Sequence, residues 1–365
     1  MKILMITDLY PIKEDEINTP KTLYNFVQSW MLQGHTVDVI KPNFILNSFI
    51  RKKPFYRTGW YGNVYNVNYF TPFLFNVKNK LKDFDFSKYD KIFAHMPSGE
   101  IFALHLGVDF VAGVHVSDFE VLSNPLYKFY FKSELEKVYK KASGIACRSY
   151  ALKNRFIKEF PMHIHKTFVA LSGVDVDKNS KRETKQKPRY MDGIKSDKKR
   201  VLTCANLIKR KNVDKLIDAC NNIEGVELTV IGDGVEKDKL KRMSSDVVFL
   251  GRLSQDRVFE RMRASDIFVL PSINETFGLV YLEAMACGCI TVGIKGEGID
   301  GIIEDGVNGF LCELDELETK LAEIIKRDDL NEIAARAIET AKNYTNETCA
   351  KSYLDNSTCE TNLQK

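Results

Sequence analysis

The sequence predicts an α/β protein of two doubly wound domains joined by a basic connection, and three observations carry that prediction. Its 365 residues exceed what one hydrophobic core ordinarily organises. Short apolar, β-prone runs alternate with helix-periodic segments along most of the chain, the pattern of a parallel sheet with helices on its faces. The alternation breaks clearly at residues 178–200, where the sequence turns polar and strongly basic and loses its apolar period.

In order, residues 2–7 are the first strand and 21–33 carry helical periodicity. Asn18 or Thr19 is placed to cap that helix, Pro20 suits its first turn, and Gly34 ends it. Residues 36–40 form a second strand, and further apolar runs follow at 91–94, 109–112, 144–146 and 167–171. After the basic connection the pattern repeats, with strands near 201–204, 227–231, 247–250, 266–270 and 290–293. Helices are expected near 212–220, 235–243, 255–264, 278–287 and 315–326. The expected divisions are thus 1–177, 178–200 and 201–344, with a last helix at about 345–365 packing back onto the first domain. Two such domains place a ligand in the crevice facing the carboxyl ends of their sheets.

Composition narrows the class. The 44% hydrophobic content is that of a globular protein, and no apolar run reaches the roughly 18 residues needed to cross a bilayer. Residues 1–8 are too short and too soon acidic for a signal peptide, so a cytoplasmic protein is expected. The eight cysteines are scattered, without Cys-x2-Cys pairs or histidines at ligand spacing, which argues for reduced thiols and no metal site. The net charge of +4 divides into +6 for residues 1–177, +7 for 178–200 and −9 for the remainder. An anionic partner for the first half would be membrane phospholipid or a phosphorylated acceptor, and a solvated surface explains the charge equally. No nucleic-acid recognition module accompanies it, and no nucleic-acid partner is expected.

The chemistry concentrates where the strand at 266–270 leads through Pro271, Ser272, Ile273, Asn274, Glu275, Thr276, Phe277 and Gly278 into a helix. A strand, a loop and a helix N-terminus make an anion site, to which the free N–H groups of Phe277, Gly278 and Leu279 would point. Glycine at 278 lets a ligand approach the backbone. Glu283 is a carboxylate within an otherwise apolar helix, costly to bury without partners, and paired sugar hydroxyls would serve. Glu275 stands eight residues earlier, in the loop. Either glutamate alone reads as well as a cap or an ion-pair partner; the two together, with Phe-Gly between them, point to a donor site.

The stretch Glu275-Thr276-Phe277-Gly278-Leu279-Val280-Tyr281-Leu282-Glu283-Ala284-Met285-Ala286-Cys287-Gly288 resembles the Glu-x7-Glu motif of the family 4 glycosyltransferases, retaining enzymes with the fold called GT-B. The likeness continues through Val230-Ile231-Gly232-Asp233-Gly234, Phe249-Leu250-Gly251-Arg252-Leu253 and Gly296-Glu297-Gly298. It implies that Glu275 hydrogen-bonds the transferred sugar, that amides from Phe277 to Leu279 hold the diphosphate, that Glu283 binds ribose hydroxyls, and that Arg252 and Leu253 lie near the base. Lys211 matches the family's diphosphate lysine. The implied donor-binding set is Asn206, Lys211, Gly232, Arg252, Leu253, Thr276, Phe277, Gly278, Leu279 and Glu283; the implied catalytic set is Glu275, His115 and Lys211.

The chain departs from the family at Ala205-Asn206-Leu207, where Gly-Arg-Leu is usual, so the arginine that neutralises the leaving diphosphate is absent. Lys209 or Arg210 could replace it. The first half resembles the family more weakly, through Tyr10-Pro11, Gly34-His35-Thr36-Val37, His115-Val116-Ser117-Asp118 and Ser172-Gly173-Val174-Asp175, and its first loop lacks the usual glycine pair. His115 ends an apolar run where the family often places a histidine beside the donor sugar, or it is a satisfied structural histidine. His95 also ends a strand and suits either the acceptor side of the cleft or simple packing. Residues 44–75 mix Arg51, Lys52, Lys53 and Arg57 with Phe55, Tyr56, Trp60, Tyr61, Tyr65, Tyr69 and Phe70. That mixture suits peripheral contact with the inner face of a membrane, and equally a half-buried strand with its loop.

The expected activity is therefore retaining transfer from a nucleotide sugar, UDP-linked in preference, to a glycan or lipid-linked saccharide in cell-surface polysaccharide synthesis. No cofactor or metal is required. The other reading is a sugar-nucleotide-binding protein disabled at Asn206. A nicotinamide-dependent oxidoreductase is disfavoured, because the first strand runs into Asp8-Leu9-Tyr10-Pro11 and not a Gly-x-Gly-x-x-Gly turn.

Overall fold

The computed structural model describes residues 1–13, 21–44, 55–69, 77–123, 125–176 and 198–358. The chain forms two compact units, the first made of Met1–Arg148, Leu152–Ser172 and Asn346–Lys365, the second of Ser149–Ala151 and Gly173–Thr345.

In order, unit 1 contains β1 (Lys2–Ile6), α1 (Thr22–Leu32), β2 (Thr36–Phe44), β3 (Gly59–Tyr61), β4 (Val64–Tyr69), α2 (Val77–Lys80), β5 (Lys91–His95), α3 (Met96–Leu106) and β6 (Val111–Val114). It continues with α4 (Val116–Ser123), α5 (Pro125–Lys141), β7 (Gly144–Cys147), α6 (Tyr150–Glu159), whose first residues belong to unit 2, and β8 (Thr167–Val169). The sheet runs β3-β4-β2-β1-β5-β6-β7-β8, parallel except where β3 meets β4. Ile3, Leu4, Met5 and Ile6 are all fully buried, as a central strand covered on both faces requires. In α1, Leu23, Phe26, Val27 and Trp30 repeat at helical spacing and make its buried stripe.

In order, unit 2 contains β9 (Lys199–Cys204), α7 (Val213–Asn221), β10 (Val226–Ile231), α8 (Lys237–Lys241), β11 (Val248–Gly251), α9 (Gln255–Arg263), β12 (Ile267–Val269) and α10 (Leu279–Ala286). Then come β13 (Ile290–Ile294), β14 (Phe310–Cys312), α11 (Leu317–Ile324) and α12 (Leu330–Lys342). Its sheet, β11-β10-β9-β12-β13-β14, is parallel throughout. After unit 2 the chain returns to unit 1 as α13 (Asn346–Thr358), which lies on α1: the Trp30 indole donates to the Ala350 carbonyl at 2.8 Å, and Tyr353 meets Phe26 edge-on at 5.4 Å.

Several boundaries differ from the sequence reading. β9 starts at Lys199, inside the stretch assigned to the connection, because Arg200 is a strand residue: its N–H and guanidinium both reach Asp266, at 2.8 Å. β6 begins two residues later than expected, at Val111. β4 falls in the segment that the sequence leaves between membrane contact and a half-buried strand, and it is a strand, paired with β2; Asn66 and Asn68 interrupt its apolar pattern, and their buried amides donate to the Tyr56 carbonyl at 3.1 and 2.8 Å. The aromatic region around it divides, with Tyr65 and Tyr69 packed on the core and Phe55 and Trp60 exposed. Asn18, Thr19, Pro20, Arg51, Lys52, Lys53, Phe70 and residues 177–197 lie outside the described residues. Among the described residues, no helix is long and apolar enough to cross a membrane.

Candidate functional site

In unit 2 the strand order reverses between β9 and β12, so the loops leaving their carboxyl ends flank the switch point where α/β sheets bind ligands. One loop carries Asn206, Lys209, Arg210 and Lys211; the other runs from Leu270 to Gly278. They are joined by hydrogen bonds to main-chain carbonyls. Asn212, left-handed at φ 48°, donates its side-chain amide to the Pro271 carbonyl at 2.9 Å, and the Ile273 N–H donates to the Arg210 carbonyl at 2.9 Å. The Arg210 guanidinium donates to the Asn274 carbonyl at 3.1 Å.

This stitching brings Lys211 to Glu275. The buried Lys211 ammonium donates directly to Glu275 Oε2, the buried Ser272 hydroxyl donates to the same oxygen at 2.9 Å, and Arg210 Nη1 lies 3.8 Å away. Burial pushes the Glu275 pKa upward, but the charge and hydrogen bond of Lys211, the Ser272 bond and the Arg210 charge outweigh it and hold the carboxyl below its ordinary value. Its own N–H donates to Glu297 Oε2 at 2.8 Å, which orients the loop. Of the three basic residues in the first loop, Lys211 is buried, Arg210 is partly exposed and Lys209 is exposed.

Glu275 leads to the start of α10. Gly278 stands there at φ 80°, and a Cβ at that position would lie 2.6 Å from the Tyr281 ring. The Tyr281 hydroxyl donates to the Leu270 carbonyl, tying the helix back to the end of β12. Phe277 is buried, while Thr276, Gly278 and Leu279 are partly exposed at the open first turn, where helix N–H groups are free to bind an anion. A turn further, Glu283 accepts a hydrogen bond from Gln255 at 3.3 Å, and burial raises its pKa to about 7. The two carboxylates of the motif thus differ: one is held ionised, and the other is raised toward neutrality.

Around this pair, Asn206 and Arg252 are exposed and Leu253 is partly exposed, after β9 and β11 respectively. Gly232, at φ 138°, has its missing Cβ position 1.8 Å from the Ala205 carbonyl oxygen, so the loops after β9 and β10 pack backbone to backbone. Ser272 and Glu297 lie in the motif stretches without a role of their own, and Gln255 stands outside them; nothing in their local pattern announces that they bond Glu275 and Glu283.

His115 belongs to unit 1, just beyond β6, and the register sets the last residue of β5, His95, opposite Gly113. A Cβ at 113 would stand 2.0 Å from the His95 ring, so glycine leaves room for the imidazole. His95 Nδ1 lies 3.1 Å from His115 Nε2, and His95 Nε2 lies 3.1 Å from the hydroxyl of Tyr353 on α13. The His115 N–H donates to Asp118 Oδ2 at 2.9 Å. Burial first, and then the Arg148 charge, depress the His115 pKa to about 3. Among the described residues, no group of three His, Cys, Asp or Glu side chains could hold a metal ion.

Two family models match the chain: glycosyltransferase family 4 over residues 20–178, and glycosyl transferases group 1 over residues 184–344. An uncharacterized glycosyltransferase of Methanocaldococcus jannaschii, MJ1178, is 28% identical over 71% of this chain and 72% of its own length. N-acetyl-alpha-D-glucosaminyl L-malate synthase of Bacillus anthracis is 32% identical over 40% of this chain, and that match spans 41% of the relative. Among solved structures, HepE of Anabaena in complex with UDP superposes with a TM-score of 0.71 at 21% identity, covering 97% of this chain and 99% of that one. Sucrose-phosphate synthase from Thermosynechococcus elongatus gives 0.75 at 15% identity, with 97% of each covered. At those identities the likeness is one of fold.

Proposed function

This chain belongs to the family 4 glycosyltransferases and has the GT-B fold, and from that premise we propose that it transfers a sugar with retention from a nucleotide donor to a glycan or lipid-linked saccharide. The observation that carries the reading is the ionised Glu275, held by Lys211, Ser272 and Arg210 beside the open first turn of α10.

The reaction breaks the bond between the anomeric carbon and the phosphate oxygen, forms one from that carbon to the acceptor hydroxyl oxygen on the same face, and delivers the acceptor proton to the leaving phosphate. Negative charge gathers on the diphosphate as it leaves. The first-turn N–H groups of α10 and the Lys211 ammonium are suited to receive it. Without donor, the Lys211 charge is compensated by Glu275; in the donor complex we assign the lysine to the diphosphate and the carboxylate to the sugar hydroxyls. Glu283 takes the ribose hydroxyls, and Arg252 and Leu253 the base. Arg210, lying 3.8 Å from Glu275, replaces the arginine missing at Asn206, in preference to the outward Lys209. The scheme requires neither cofactor nor metal. UDP is the nucleotide to try first, since HepE was solved with it. Synthesis of a cell-surface polysaccharide, with a lipid-linked acceptor, is the setting this reading favours.

The test is release of nucleoside diphosphate from UDP-, GDP- and ADP-sugars, with lipid-linked and simple saccharide acceptors. Acceptor-dependent release from one donor, falling by roughly a hundredfold or more in Glu275→Ala, supports the proposal; Arg210→Ala then lowers turnover where Lys209→Ala leaves it near the parent. Asn206 favours a second reading, a binder without turnover. Donor binding with no release over the whole acceptor panel would establish that one instead.

A further inference from the structure

The chain from Tyr353 through His95 to His115 has a direction. Tyr353 and His95 are fully buried, and among the described residues the only hydrogen-bond partner of the Tyr353 hydroxyl is His95 Nε2. A buried O–H is costly without an acceptor, so Tyr353 donates and His95 Nε2 accepts. A neutral His95 then carries its proton on Nδ1, 3.1 Å from His115 Nε2, which must accept it. A neutral His115 whose Nε2 accepts carries its own proton on Nδ1. The reverse direction would leave the tyrosine proton buried with nothing to receive it.

The surroundings keep both rings neutral. Arg148 is buried in the same core, its guanidinium 4.6 Å from the centre of the Phe26 ring and bonded to the Ser172 hydroxyl. Burial, then the charge that His115 would carry if protonated, then Arg148, oppose protonation of His95; burial and Arg148 oppose that of His115. Asp118 reaches the His115 backbone N–H, so it fixes the main chain without accepting from the ring. His115 is itself only partly buried, and its Nδ1 has no hydrogen-bond partner among the described residues.

We propose that Tyr353 and His95 are positioning residues that hold His115 as its Nδ1–H tautomer, so that it offers a sugar hydroxyl a hydrogen-bond donor and not a base. The inference rests on the reading of His115 as a site residue, and it deepens that reading by assigning the ring its polarity. In water a neutral histidine favours the Nε2–H form. Without the relay the competent tautomer becomes a minor fraction, and apparent affinity falls with that fraction.

The experiment uses the full chain with 15N-labelled histidine and reads the tautomers by long-range proton–nitrogen correlation near neutral pH, His115 being assigned by its loss in His115→Gln. The parent is expected to carry the proton of His115 on Nδ1. Tyr353→Phe, which keeps the ring packed against Phe26 and Trp30, is expected to shift His115 toward Nε2–H and to lower kcat/KM by about tenfold. His95→Gln retains one acceptor and one donor and keeps more activity than His95→Leu, with circular dichroism checking the fold of each. A parent with His115 protonated on Nε2, or a Tyr353→Phe variant with an unchanged His115 tautomer, overturns the proposal. The tautomer measurement needs no donor sugar, so it stands apart from the Glu275→Ala test of turnover.

Discussion

Glu275 and Glu283 stand eight positions apart and meet opposite electrostatics. Cations and a hydroxyl surround the first and hold it ionised; the second has one weak amide partner and a pKa near 7. Its folded pKa lies above its ordinary value of 4.5, so the folded state binds an extra proton between those limits. The associated stability is present below 4.5 and is lost as pH rises through about 7. A ribose contact wants the ionised form, so donor affinity is expected to rise over the same interval in which the free protein weakens. Glu283→Gln should then raise the melting temperature above pH 7 by about 2–4 °C and abolish the rise in donor affinity; scanning fluorimetry and a donor titration at two pH values read both effects. An unchanged pH dependence of binding in the glutamine variant would exclude Glu283 from that role. The spacing of the pair was legible because a motif is a local pattern. Gln255, Glu297 and Tyr353 were not, because their partners are chosen by tertiary contact, 258 residues away in the case of Tyr353 and His95; Ser272 stands only three residues before Glu275, and its role depends on how the loop turns its hydroxyl onto that carboxylate.

Elements obey the same division. Strands buried on both faces, such as β1 and β13, are continuous apolar runs that the sequence displays. β4 hides behind Asn66 and Asn68, and β14 has only three residues, too few to show a period. The loops depend on backbone proximity that no period reports. Gly232 is the sharpest case: its Cβ site falls on the Ala205 carbonyl, at a φ that side chains rarely adopt. Gly232→Ala is expected to displace the loop carrying Asn206, destabilising the protein by roughly 1–3 kcal/mol in urea unfolding and weakening donor binding alongside. A neutral result would show that this approach of the two loops is easily relaxed.

For the molecule as a whole, the sequence displayed the alternation that makes two parallel sheets, but it gave no view of the polar groups buried in unit 1. Glu100, Asp118 and Tyr139 lie inside that core, with the Tyr139 hydroxyl donating to Asp118 at 3.0 Å. Burial, reinforced by the Asp118 charge, drives the Glu100 carboxyl well above its usual range, and burial lifts Asp118 to about 6. Both shifts are upward, so their stabilisation is complete below the ordinary carboxylate pKa and declines as pH rises through 6. The melting advantage of Glu100→Gln over the parent should therefore grow from acidic to alkaline buffers, and an advantage independent of pH would locate the titration elsewhere. The return of α13 has a further consequence, for synthesis on the ribosome. Although unit 1 opens the chain, the surface formed by Phe26, Trp30 and Phe93 stays uncovered until the segment around Tyr353 has left the exit tunnel, after the whole of unit 2. The unit translated first is the last to close, and its aromatic groove is what a nascent-chain chaperone would find exposed in the interval.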